Sequence, residues 1–164
     1  MLLKKRIWVL VFGFMYLVLV DAMDYINLFM FPNKKYSFLF FQVACCVADI
    51  LRIFAPEAPY KDPSQIKTIF YFLIKQLGGL KDPKDTAFKR YFYLLENLAY
   101  VKSFNMCLDL EDCNEVFCAL FTLMFKIVND EHSGKVKIII FLIYFQNFRI
   151  YGKRACYDYF LCFK

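Results

Sequence analysis

The residues best suited to chemistry form an acidic group in the second half of the chain. They are Asp109, Glu111, Asp112 and Glu115. Closely spaced carboxylates can serve as general acid and base or bind a metal ion, but a catalytic site also needs a proton-transfer or charge partner. No His or Lys is spaced to complete such a site. We therefore predict that these carboxylates cap a helix and favour its positive end.

Cysteine is the second reactive residue type, with seven copies in the chain. They are Cys45, Cys46, Cys107, Cys113, Cys118, Cys156 and Cys162. Zinc sites need closely spaced ligand pairs such as C-x-x-C, and the chain has none and only one histidine, His132. We predict buried thiols in a reducing compartment, with no metal and no cofactor. Because phosphate loops, nucleophile elbows and H-E-x-x-H motifs are also missing from the sequence, we predict a protein that is not an enzyme.

A third group combines aromatic and basic side chains: Arg90, Tyr91, Tyr93, Tyr100 and Lys102. Such side chains could stack on single-stranded nucleic acid and pair with its phosphates. The same spacing also fits a helix with an aromatic core face and a basic outer face, which we favour. The formal net charge of +6 is spread along the chain, so it permits weak attraction to nucleic acid or anionic membranes without indicating either.

The two ends of the chain differ in composition from the middle. The hydrophobic fraction of 60% exceeds the usual value of about 45–50%, which indicates either a membrane or secretory segment or sequence not selected for folding. The basic start and apolar run from Lys4 to Val20 are typical of a secretory signal peptide, with a possible cleavage site near Ala22. A further hypothesis is that both ends are translated from non-coding sequence. The C-terminal stretch from Ile138 is made mostly of Phe, Ile, Tyr, Leu, Lys and Asn, whose codons are rich in A and T, and residues Leu28–Phe41 share this bias.

Four amphipathic helices are predicted in the middle, each with apolar residues at a period near 3.6. They cover about residues 43–54, 63–77, 83–102 and 113–128. Asp62-Pro63 and Asp82-Pro83 favour the starts of the second and third helices, and Asp112 favours the start of the fourth. Gly78-Gly79 favours a left-handed end for the second helix. The loop Ala55–Tyr60 carries two prolines and separates the first two helices.

These four helices form two pairs, each about the length of a HEAT-type unit of roughly 40 residues. We predict an all-α fold: a HEAT-like helical repeat, or α-solenoid, fragment with paired antiparallel helices. Three parts are predicted along the chain. They are a signal-like apolar segment at residues 1–42, the helical pairs at 43–137, and an apolar, aromatic-rich tail at 138–164.

Three segments in register resemble the precocious-dissociation-of-sisters family, the helical-repeat regulators of cohesin. They are Val43–Tyr60, Arg90–Ser103 and Leu108–Phe117, and their order and gaps agree with the family as well. The resemblance is absent before Val43 and weakens beyond about Lys137. It covers well over half of the chain and is far more specific than any short motif.

The resemblance implies a nuclear, non-enzymatic scaffold that acts in sister chromatid cohesion during the cell cycle. By resemblance, its partners are the kleisin subunit of cohesin and the factors that release or maintain cohesin, with chromatin contacted indirectly. The loop Ala55–Tyr60 is either a partner-binding ridge, with Glu57 and Tyr60 as the residues to test, or a rigid turn between helices. The alternative function is a small secreted or membrane-anchored helical protein that uses the Lys4–Val20 segment.

Overall fold

The computed structural model describes residues 37–57, 59–60 and 62–151, and within these ranges the chain is helical with no strand. The α-helices are α1 Ser37–Phe54, α2 Pro63–Leu77, α3 Phe88–Tyr100, α4 Cys113–Ile127 and α5 Gly134–Tyr151. Two 3-10 helices, Gly78–Lys81 and Ser103–Cys107, follow α2 and α3. The predicted all-α class is confirmed. The signal-like segment Lys4–Val20 lies outside the described residues, and no described helix has the length and apolarity to cross a bilayer.

The chain divides into two units at the Val43–Ala44 peptide, inside α1. In the second unit, helices two positions apart in the sequence lie side by side, with α2 against α4 and α3 against α5, while α2 also contacts α3. This alternation gives two layers, which is how neighbouring helical repeats cover one another. The core of this unit is made of fully buried aliphatic and aromatic side chains. They include Phe70, Leu73, Leu77, Leu94, Leu95, Leu98, Phe104, Phe117 and Leu120.

Helix α2 begins as predicted but ends differently. The Asp62 carboxylate accepts a hydrogen bond from the Ser64 N–H at 2.9 Å, and Pro63 occupies the first helical position. The predicted left-handed glycine end is wrong, because Gly78 is right-handed with φ −57° and ψ −22° and continues into the 3-10 helix. Gly79 serves another purpose. The Tyr91 ring packs directly over its Cα, so a Cβ there would overlap the ring.

Helix α3 begins at Phe88, so the predicted start at Asp82-Pro83 is wrong. The Asp82 carboxylate accepts from the Lys84 N–H at 2.9 Å, and the Asp85 carboxylate accepts from the Ala87 N–H at 2.8 Å. Each aspartate thus bonds the backbone two residues further on and holds the segment in turns. Aspartate therefore has two effects in this chain: Asp62 caps the start of α2, whereas Asp82 and Asp85 move the start of α3 to Phe88.

Helix α5 was not predicted, and it runs through the boundary placed between residues 137 and 138. Its inner face is buried, and its outer face is apolar but exposed. The buried residues are Val136, Ile140, Ile143 and Asn147. Because both faces are apolar, the segment lacks the contrast between faces that marks an amphipathic helix in a sequence.

Candidate interaction surface

The proline-containing loop between α1 and α2 places its two candidate residues in different environments. Glu57 is exposed at a bend, whereas Tyr60 is buried with only 7% of its surface accessible. A partner can therefore touch Glu57 directly, while Tyr60 anchors the loop to the core. The sequence could not separate the two, because a tyrosine next to a proline-rich turn occurs on surfaces and in cores alike.

The acidic group at the start of α4 is an ion-pair cluster. The Lys67 ammonium of α2 lies 2.7 Å from the Glu115 carboxylate and 3.0 Å from the Asp112 carboxylate. The predicted side-chain cap by Asp112 is wrong, because this carboxylate bonds Lys67 and no helix N–H. Glu115 does lie in the first turn of α4, where a negative charge is favourable. The hydrogen bond to Glu115, followed by that to Asp112, raises the pKa of Lys67 above its usual value.

This cluster is a surface ion-pair network that links α2 to α4. The cation that sequence reasoning missed stands 45 residues before Asp112, so no local spacing could reveal it. Asp109 and Glu111, the other members of the predicted group, are exposed at the loop before α4. The Asp112 and Glu115 carboxylates are more than half exposed, which leaves their pair with Lys67 in contact with water.

Four residues of the aromatic and basic group lie on two faces of α3, while Lys102 follows the helix and is exposed. Tyr91 is half-buried against Gly79, whereas Tyr93 and Tyr100 are exposed, with Tyr100 at 85%. Arg90 is also exposed on this helix. The predicted basic outer face is therefore present. The predicted aromatic core face is not, because the buried face of α3 is made of leucines and Asn97.

A buried histidine, whose structural role the sequence did not indicate, joins the α4–α5 turn to the 3-10 helix that follows α2. His132 is buried, and its Nδ1 accepts a hydrogen bond from the Asn129 N–H at 3.1 Å. The ring proton therefore sits on Nε2, which donates to the Leu80 carbonyl at 2.7 Å. The Asn129 side-chain amide donates to the Lys81 carbonyl at 3.0 Å. Together these bonds hold the α4–α5 turn against the 3-10 helix that follows α2.

The five described cysteines are free thiols. Cys107 is buried, and burial raises its pKa; burial, with Asp49 and then Cys46 nearby, raises the pKa of Cys45 to about 11. Thiols with raised pKa values are poor nucleophiles near neutral pH. Across the described ranges, no group of three or more His, Cys, Asp or Glu side chains could hold a metal ion.

The fold and these surfaces define a helical-repeat protein that offers helix faces and short loops. The family model for the sister chromatid cohesion protein PDS5 matches residues 41–146, slightly beyond the segment that carries the resemblance. The chain belongs to the PDS5 family.

The relatives are much longer than this chain. The sister chromatid cohesion protein PDS5 homolog A of Homo sapiens and that of Danio rerio are each 55% identical over 107 residues, which is 65% of this chain and 8% of the relative. PDS5 homolog B-B of Xenopus laevis is 54% identical over 105 residues, or 64% of this chain and 7% of the relative. The match thus spans less than a tenth of the relatives' length.

Proposed function

We propose that this chain is a non-enzymatic scaffold segment that regulates cohesin in sister chromatid cohesion. The observation that carries the proposal is the family match over residues 41–146, at 55% identity to PDS5 homolog A. The proposed partners are the kleisin subunit of cohesin and the factors that release or maintain cohesin, with chromatin reached through them. The two-layer packing of α2 to α5 supports this role, because a helical repeat offers extended surface for protein partners.

We place the partner contact at the loop between α1 and α2. Glu57 is the residue able to touch a partner, and the buried Tyr60 holds the loop in position. This loop lies within the segment Val43–Tyr60, which carries the first part of the family resemblance. The described part of the loop is short and bounded by two helices, so its surface is presented on a rigid support.

The three-part organisation is also proposed, with its C-terminal boundary moved so that residues 43–151 form the scaffold and 1–42 and 152–164 are the flanking segments. The packing of α5 against α3 supports assigning residues 138–151 to the scaffold, as does the extension of the family match to residue 146.

The direct test is recovery of the purified kleisin subunit on the immobilised full-length chain. We expect Glu57→Lys to reduce the recovered kleisin at least about fivefold, because the charge of an exposed contact is reversed. Glu111→Lys is the matched control, since it makes the same charge change at another exposed site. Equal recovery by both variants would remove Glu57 from the contact. Recovery no greater than on empty beads would overturn the scaffold proposal for this chain.

The location of the chain tests the same proposal in cells. We propose a nuclear, chromosomal location, and fluorescence microscopy of the full-length chain with a C-terminal tag would measure it. A secretory-pathway signal, together with cleavage near Ala22 detected by mass spectrometry, would instead support the secreted or membrane-anchored alternative.

A further inference from the structure

The outer face of α5 carries a stripe of large apolar side chains that nothing covers within the described residues. Ile138, Phe141, Leu142 and Phe145 follow the i, i+3, i+4, i+7 spacing, so they share one face of the helix. Their exposed fractions are 60%, 61%, 43% and 51%. The rings of Phe141 and Phe145 stack at 6.2 Å between centroids. A contiguous patch of this kind usually marks an interaction site.

The patch continues onto the neighbouring helix, and its side chains carry no charge. Phe125 of α4 is 56% exposed, and its ring meets Tyr144 of α5 edge-on at 5.9 Å. The segment from Ile138 to Asn147 holds no Asp, Glu, Lys or Arg. At its start, the Lys135 ammonium is paired with the Glu96 carboxylate at 2.6 Å. No like charges along the stripe would therefore oppose its pairing with an identical stripe.

We propose that the outer face of α5 is a homodimer interface, in which the helices of two copies pack antiparallel. A two-fold axis between Phe141 and Leu142 places Ile138 opposite the partner's Phe145, and Phe141 opposite the partner's Leu142. Every contact then joins one aliphatic and one aromatic side chain, which interdigitate better than like-sized groups. A parallel pair would instead place each side chain against its own copy.

The available area suits a reversible dimer. With about 200 Å² for a fully exposed large apolar side chain, the four stripe residues offer roughly 400 Å² per copy. Complete burial of these side chains and of Phe125 in both copies would remove at most about 1,100 Å² from water, close to the ~1,000 Å² lower limit for a specific interface. An interface of this size predicts a monomer–dimer equilibrium that depends on protein concentration.

Sedimentation velocity of the full-length chain over a range of concentrations tests the interface. We expect a dimer whose dissociation constant rises at least about tenfold in the double variant Phe141→Glu, Phe145→Glu. The control Tyr100→Glu places the same charge at an exposed aromatic residue on α3 and leaves the dimer unchanged. Circular dichroism verifies that all variants are folded. A wild-type chain that stays monomeric at about 100 µM, or a dimer that survives the double variant, would overturn the proposal.

A charge-pairing experiment tests the antiparallel geometry. Ile138→Glu and Phe145→Lys should each weaken self-association when alone. Mixing them should restore a heterodimer, because the antiparallel arrangement sets Glu at position 138 of one copy against Lys at position 145 of the other. A parallel pair gains no such contact. Association in the mixture no stronger than in either variant alone would refute the antiparallel arrangement.

Discussion

Replacing each of the two adjacent glycines after α2 by alanine should change stability in opposite directions. At Gly78 the backbone is right-handed helical, and a Cβ would lie 3.9 Å from its nearest neighbour, Leu123 Cδ1, an ordinary contact. Alanine there restricts the unfolded chain and should stabilise the protein by about 0.5–1 kcal/mol. At Gly79 the same Cβ would overlap the Tyr91 ring. Only the neighbour differs, since neither glycine has a positive φ.

The magnitude at Gly79 is set by two opposing terms. Forcing an extra carbon into a packed contact costs about 1–3 kcal/mol, because the ring must shift away from its position. The entropy gain from removing a glycine returns about 0.5–1 kcal/mol. The middle values of these two ranges differ by about 1 kcal/mol, so we expect Gly79→Ala to lower the free energy of unfolding by about that amount, while Gly78→Ala raises it.

Urea unfolding of the full-length chain, followed by far-UV circular dichroism, measures both free energies. The cause at Gly79 is isolated by repeating the substitution in a Tyr91→Ala background, where the ring is gone. There Gly79→Ala should become neutral or stabilising, as Gly78→Ala is. If both alanines change stability with the same sign, or if the cost at Gly79 persists without the ring, the steric argument is refuted.

Three further outcomes are expected from the described contacts. His132→Ala should destabilise the protein by about 2–4 kcal/mol in urea unfolding, because the buried Leu80 carbonyl and the part-buried Asn129 N–H lose their partner. The exposed control Asp130→Ala should change the free energy of unfolding by no more than about 0.5 kcal/mol. Equal effects of the two substitutions would contradict a structural role for the His132 hydrogen bonds. Lys67→Met removes the ion pairs with Asp112 and Glu115, so it should lower the melting temperature by an amount that becomes smaller in high salt. The control Lys126→Met should not show this salt-dependent loss. A loss for Lys67→Met that is independent of salt would exclude an electrostatic origin. Because burial raises its pKa, Cys107 should resist iodoacetamide in the folded chain, as measured by mass spectrometry. Its contribution to stability should be complete below pH 9.0, the ordinary pKa of the thiol, and should be lost as the pH rises above that value. Alkylation in the folded chain as fast as in urea would refute the protection by burial.

Local chemistry explains which parts of the fold were predictable. The start of α2 depends on Asp62, Pro63 and Ser64 alone, and the structure has it as predicted. The Asp82-Pro83 pair looks the same in sequence, yet Asp82 bonds the backbone into a turn and α3 starts at Phe88. The difference lies in the residues after each Asp-Pro pair, because the second aspartate, Asp85, repeats the turn before a helix can form.

The candidate surface was less predictable, since its contacts join distant segments. The Asp112 carboxylate had two possible partners, the helix N–H groups beside it and the Lys67 ammonium 45 residues away. Only the packing of α2 on α4 decides between them. The same holds for His132, whose acceptor at Leu80 lies 52 residues earlier in the chain.

The sequence by itself determined the helical class, the start of α2 and, through three matched segments, membership in a cohesion family. These features depend on the spacing of apolar residues and on contacts between residues close in the sequence, so a short segment contains all the information they need. Tertiary structure alone decided that Tyr60 is buried while Glu57 is exposed, and that α5 has one covered and one open apolar face. The physical reason is that burial depends on which helices pack against each other. The identity of an apolar residue in the sequence does not show whether a neighbour covers its side chain.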